Sequence, residues 1–129
     1  MEIKIYTDGG SRGNPGKAAC AFLVIKNDKI SLKFSKFLGK ATNNEAEYNA
    51  IINALEQVKA KEIHLFSDSE LVVNQINGKY KINLPHLKLL HNKVIRLCEN
   101  RKVTFSNVKR ENSFIQKADI LVNEELDKH

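Results

Sequence analysis

IYTDGGSRGNPG, residues 5–16, joins a β-favouring run to a glycine-rich turn, with one carboxylate, Asp8, at the join. Ile3, Ile5 and Tyr6 suit a pleated strand, whereas Gly9, Gly10, Gly13, Asn14, Pro15 and Gly16 break one. The reading is a strand over residues 2–7 whose carboxyl end presents Asp8 to solvent. Glycine has no Cβ, so this backbone can approach a ligand closely, and a metal and a phosphate could meet beside Asp8. A surface aspartate opening a loop fits the stretch equally well. The phosphate-loop pattern GxxxxGK[ST] and the dinucleotide pattern GxGxxG are both absent.

Outward from this stretch, residues 18–26 carry an apolar run suited to a buried strand, and Asn27-Asp28 is a turn signal. Residues 29–37 alternate apolar and polar, which predicts a half-exposed third strand and an antiparallel meander. The period then changes. Ala46, Ala50, Ile51, Ala54, Leu55 and Val58 recur at helical spacing behind Thr42-x-x-Glu45, a capping box that gives Glu45 a structural role. Glu47 extends the inward stripe of that helix, where an acid is costly unless paired, neutralised or bound to metal.

A strand over residues 63–67 ends at Asp68, and Ser67-x-x-Glu70 predicts a helix to about Asn77, stopped by Gly78. Asp68 could equally assist that helix N-terminus. Leu84-Pro85 starts a helix to about Asn100, lined by Leu87, Leu90, Val94 and Leu97. A fifth strand covers residues 103–107, and Ser113-x-x-Gln116 caps a last helix whose inward stripe Asp119 borders. The order β-β-β-α-β-α-α-β-α predicts an α/β fold: a five-stranded mixed sheet, helices on both faces, in one domain over residues 1–129.

The 129 residues contain no apolar run near the ~20 needed to span a membrane. No secretion leader is recognisable, and Cys20 and Cys98 read as buried free thiols, so a cytoplasmic location is expected. Of the net charge of +6, the segment from Lys79 to Arg110 holds nine Lys or Arg and one acid, Glu99. A basic block of this kind suggests a polyanionic partner, although a solvated lysine-rich face has the same composition.

Strand ends and helix starts meet at the carboxyl edge of such a sheet, which would gather Asp8, Glu47, Asp68 and Asp119. Four acids repel one another unless hard cations neutralise them, and Mg²⁺ suits an all-oxygen cluster. The motifs TDGGSRGNPG (7–16), TNNEAEY (42–48), SDSELV (67–72) and ADILVN (118–123) resemble, in order, those of type 1 ribonuclease H. The resemblance implies the ribonuclease H-like fold and metal-dependent endonucleolytic cleavage of the RNA strand of RNA–DNA hybrids. By motif position it implies that Asp8, Glu47, Asp68 and Asp119 bind two Mg²⁺ ions, Mn²⁺ being the alternative. It implies hybrid contacts from Gly9, Gly10, Ser11, Gly13, Asn14, Asn43 and Asn44, with Thr42 at a DNA phosphate.

Two departures stand out. Many relatives insert a basic, tryptophan-bearing handle between the second and third helices, whereas residues 77–84 form a short connector here and the chain has no Trp. This resembles the handle-less branch of archaea and some bacteria. Arg110-Glu111 also stands where many relatives carry a loop histidine. A monomer that engages RNA–DNA hybrid and no membrane is expected. The competing readings are a hybrid- or duplex-binding module without strong catalysis, and another nuclease or ATPase on the same fold. Against the latter, integrases lack the TNN and GNPG elements, and an actin-like ATPase needs two such domains.

Overall fold

An uninterrupted apolar run needs cover on both faces, and Ala18-Ala19-Cys20-Ala21-Phe22-Leu23-Val24-Ile25 is such a run. In the computed structural model, which describes residues 2–129, all of these residues are buried within strand β2 (Gly16–Lys26). Antiparallel neighbours β1 (Ile3–Gly13) and β3 (Lys29–Ala41) flank it. β1 pairs in parallel with β4 (Glu62–Ser67), and β4 with β5 (Lys102–Asn107), giving the order β3-β2-β1-β4-β5. The helices are α1 (Asn43–Gln57), α2 (Glu70–Ile76), α3 (Pro85–Leu97) and α4 (Ser113–Asp127), so the expected element order is found.

Strand alternation divides the core between the two faces. Ile5, Phe22 and Val24 pack with Tyr48, Ile51 and Leu55 of α1, and with Val72, Leu87 and Val94 of α2 and α3. Tyr6, Leu23 and Ile25 face the other way, onto Ile115 and Ala118 of α4. Asn27 and Asp28 adopt φ of 52° and 63°, the left-handed pair that a two-residue hairpin with matching twist requires. No helix among the described residues is long and apolar enough to cross a membrane.

Several expectations are corrected. β1 does not stop before the glycines but continues through them to Gly13, because β2 supplies a pairing partner as far as Gly16. Asp8 is therefore a buried residue within a strand and not an exposed strand end. The cap of α2 is Ser69, whose hydroxyl accepts from the Val72 N–H; Ser67 still belongs to β4, opposite Asn107. α4 is capped by Asn112, which accepts from Phe114 and Ile115, and Ser113 is its first helical residue. Lastly, α3 ends at Leu97, and Cys98 at its C-cap is only half-buried, whereas Cys20 is fully buried.

α1 has no basic residue in its last turn, yet its C-terminal carbonyls need partners. Arg101 supplies them from the loop before β5. Its guanidinium donates to the carbonyls of Leu55 at 3.0 Å, Ala60 at 3.0 Å and Leu97 at 3.1 Å, and to that of Val58. One cation thus closes the ends of α1 and α3. Replacement Arg101→Met should lower the free energy of unfolding by about 2–3 kcal/mol, the scale of lost charge-assisted hydrogen bonds. Chemical denaturation checks this; a midpoint unchanged from the parent would remove the clamp from the account.

Candidate metal centre and nucleic-acid interface

β1 loses its parallel partner after Thr7, which lies opposite Ser67, the last residue of β4. Asp8 is the next residue and Asp68 follows Ser67, so the splitting of two strands sets two carboxylates side by side. Asp8 remains paired with Ala21 of β2 and is only 7% exposed.

Glu47 comes from α1 and is placed by backbone contact. A Cβ on Gly9 would lie 2.3 Å from the Ala46 carbonyl carbon and 2.6 Å from the Glu47 nitrogen. Real side chains do not approach this closely, so only glycine lets β1 and α1 touch here. The N-terminal end of α1 is fixed by the expected capping box: Glu45 N–H donates to Thr42 Oγ1 at 3.1 Å, and Thr42 N–H donates to Glu45 Oε1 at 2.8 Å. Glu45 is thereby occupied, while Glu47 turns inward. The helix is also tied to α2 by the buried Tyr48 hydroxyl, which donates to Gln75 Oε1 at 2.8 Å.

Ligand atoms of Asp8, Glu47 and Asp68 all lie within 4.8 Å of one another. Asp119 is not in this trio. It is exposed on α4, close enough to Asp8 to share a hydrogen bond, and Asn123 Nδ2 donates to its backbone carbonyl at 3.1 Å. Burial, the charges of Asp68 and Asp119, and that hydrogen bond push the Asp8 carboxyl up to about 8, against the Gly9 N–H that favours the carboxylate. Burial foremost, then Asp8 and Asp68, raise Glu47 well above the usual range, with the Gly9 N–H and Arg110 opposing. Glu47 Oε1 is sealed from solvent and meets no hydrogen-bond donor. A buried carboxylate oxygen without a donor is costly, and crowding by two more acids adds to the cost. An oxygen-preferring divalent cation removes both penalties, so the residues fit such an ion. The donor set has no sulfur or imidazole to favour a softer metal.

Several other residues singled out in the sequence are tied to one another. Ser11 N–H donates to Asn43 Oδ1 at 2.9 Å, and Asn43 N–H donates to Asn14 Oδ1 at 3.0 Å. These bonds zip the β1–β2 turn to the start of α1, where Thr42 and Asn44 also lie. The glycines have different reasons. Gly9 is required by the helix, Gly13 by its φ of 118°, and Gly16 by a Cβ position 2.4 Å from the Arg12 carbonyl oxygen. Gly10 has ordinary space, its Cβ position 3.5 Å from Val122.

Sequence reasoning missed one participant. Arg110, in the loop between β5 and α4, places its Nε 3.4 Å from Asp68 Oδ2. Its position in place of a loop histidine was the available signal, but its partner was not. His129 does not approach the acids through its ring; it stacks on Phe37 at 3.8 Å and pairs with Glu125.

Comparison with known proteins places this geometry. Ribonuclease HI of Halobacterium salinarum is 36% identical over 130 residues, covering 97% of this chain and 64% of that protein. The crystal structure of RNase H1 from the same archaeon matches with a TM-score of 0.93 at 34% identity, covering 100% of both chains. LC11-RNase H1, solved in complex with an RNA/DNA hybrid, matches with a TM-score of 0.90 at 38% identity, over 98% of this chain and 97% of that one. A bifunctional protein of Mycobacterium tuberculosis is 35% identical over 98% of this chain, which spans 36% of that relative's length. The RNase H family model itself matches residues 1–127. On a match of that extent, carried by an architecture shared from first strand to last helix, this chain belongs to the RNase H family.

Proposed function

We propose that this chain is a metal-dependent endoribonuclease that hydrolyses the RNA strand of RNA–DNA hybrids, with Asp8, Glu47, Asp68 and Asp119 holding two Mg²⁺ ions. Mn²⁺ is the alternative metal. The observation that carries the reading is the sealed, donorless Glu47 Oε1 set against two other acids in a chain of the RNase H family. The hybrid bound by LC11-RNase H1, a relative with 38% identity, supports the substrate class. When bound, the metal supplies Lewis-acid stabilisation of phosphate charge and a more acidic water. The protein's own part is preorganisation. Burial and mutual repulsion favour the protonated forms of Asp8 and Glu47 while the site lacks a cation, and a competing ion would favour their carboxylates. The Ser11–Asn43–Asn14 zip presents amide and backbone groups to the minor groove, where the 2′-hydroxyl distinguishes RNA from DNA. Exposed Lys79, Lys81 and Lys88 offer phosphate neutralisation in the absence of a handle.

Incubation with matched RNA–DNA, RNA–RNA and DNA–DNA duplexes, with and without Mg²⁺, tests the reading. Cleavage confined to the RNA strand of the hybrid and to metal-containing samples is expected. Hybrid binding without turnover under all conditions would instead establish the binding-module alternative.

Asp8→Asn should lower hybrid cleavage by roughly 1,000-fold or more, the scale of losing a preorganised electrostatic group. Near-parental turnover by the folded variant would exclude Asp8. Glu47→Gln should be inactive, whereas Glu45→Gln should keep most activity, because Gln also accepts the Thr42 N–H bond. The reverse ranking would put the wrong face of α1 in the site.

Asp8 titrates near 8 in the fold and near 4 when unfolded, so the native chain binds more protons across that window and stability falls as pH rises. Glu47 acts with the same sign. In chelator, melting of Asp8→Asn compared with the parent should move in the variant's favour from pH 5 to pH 8. Added Mg²⁺ should stabilise the parent more at pH 8 than at pH 5, and a pH-independent metal effect would contradict this.

A further inference from the structure

Arg110 is the one cation paired with the acid cluster among the described residues. Its side chain is 88% exposed, whereas that of its partner Asp68 is 8% exposed, so the cation stands in solvent and the anionic side chain is largely buried. The guanidinium also lies within electrostatic reach of Asp8, Glu47 and Asp119. With its cationic half in solvent, the pair is screened by water on that side, and an open single contact at 3.4 Å holds the guanidinium weakly. A divalent cation beside Asp68 would compete for the same carboxylate oxygens and would repel the guanidinium.

We propose that Arg110 is a positioning residue that acts as an exchangeable counter-ion: it pairs with Asp68 while the site lacks metal and is displaced when a divalent ion binds. This rests on the metal-centre reading above. Displacement frees a planar, permanently charged guanidinium at the rim of the site. That group matches phosphate oxygens bidentately, so the same event that loads metal turns Arg110 toward an incoming backbone. The loop allows this motion without unfolding, because its anchors are separate from Arg110. Val108 N–H donates to the Ser67 carbonyl at 2.9 Å, Asn107 Nδ2 donates to the same carbonyl at 3.1 Å, and Asn112 caps α4.

The test is Mg²⁺ binding by the intact protein without nucleic acid, read as the thermal shift against metal concentration. The parent, Arg110→Ala, Arg110→Lys and Lys109→Ala are compared at low ionic strength. Arg110→Ala should bind Mg²⁺ about two- to fivefold more tightly than the parent, the range expected when a competing counter-ion that is itself in solvent is removed. Arg110→Lys should stay near the parent, and added monovalent salt should shrink the Ala gain. Lys109→Ala, which removes an equal charge one residue away, should show a much smaller gain. Unchanged or weaker Mg²⁺ binding in Arg110→Ala would overturn the proposal while leaving the metal centre intact. An equal gain in Lys109→Ala would also overturn it, by showing a general charge effect. A parent that shows no Mg²⁺-dependent shift would overturn both readings.

Discussion

The backbone contact between Gly9 of β1 and the Ala46–Glu47 peptide of α1 is the constraint on which the site depends. Helices normally stand off a sheet by the length of their side chains. Here no side chain intervenes, and the helix comes in until its main chain meets the strand. That approach brings Glu47 beside Asp8 and lets the Asn43 amide and backbone reach Ser11 and Asn14. The capping box at Thr42 sets the rotation of α1, and the Tyr48–Gln75 bond fixes it against α2, so three independent contacts determine where one carboxylate points.

The price of this arrangement is electrostatic. Three acids bring ligand oxygens within 4.8 Å of one another, two of them with carboxyls raised by burial and mutual repulsion. A fold optimised for stability alone would place apolar side chains there. The cluster persists because the surrounding structure over-determines it: β2 pairing for Asp8, the β4 end for Asp68, the α1 packing for Glu47. Stability is recovered elsewhere, as in the Arg101 clamp on the ends of α1 and α3. The destabilised region and the site therefore coincide, as preorganised charge requires.

On the proposed function, nucleic-acid affinity would be assembled without a protruding handle. The α2–α3 connection is short, and Tyr80 within it is tethered to Glu70 of α2 by a hydroxyl–carboxylate bond at 3.3 Å. The lysines of this connector and of α3 are exposed, while the aliphatic face of α3 is turned to the core through Leu87 and Val94. Charge is thus carried on the outer surface of an element whose inner surface is structural, and no additional segment is needed to display it.

The order of elements, the antiparallel meander, the helical face bearing Glu47 and the Thr42–Glu45 box were legible in the sequence, since each rests on local periodicity or on a contact three residues long. The four family motifs named the acids for the same reason: each lies in its own short segment. What the sequence misjudged depended on partners distant in the chain. β1 runs through its glycines because β2 is there to pair with them, and Asp8 is buried because sheet and helices close around it. Ser67 and Ser69 are equivalent as local caps; strand pairing with Asn107 decides between them. Gly9 reads as freedom to meet a ligand, yet its neighbour is a helix 37 residues away in sequence. The pairing of Arg110 with Asp68 has no local signature at all, because two loops 42 residues apart are brought together by parallel strands. Local chemistry determined which residues could serve, and only tertiary packing decided which charges must share one space.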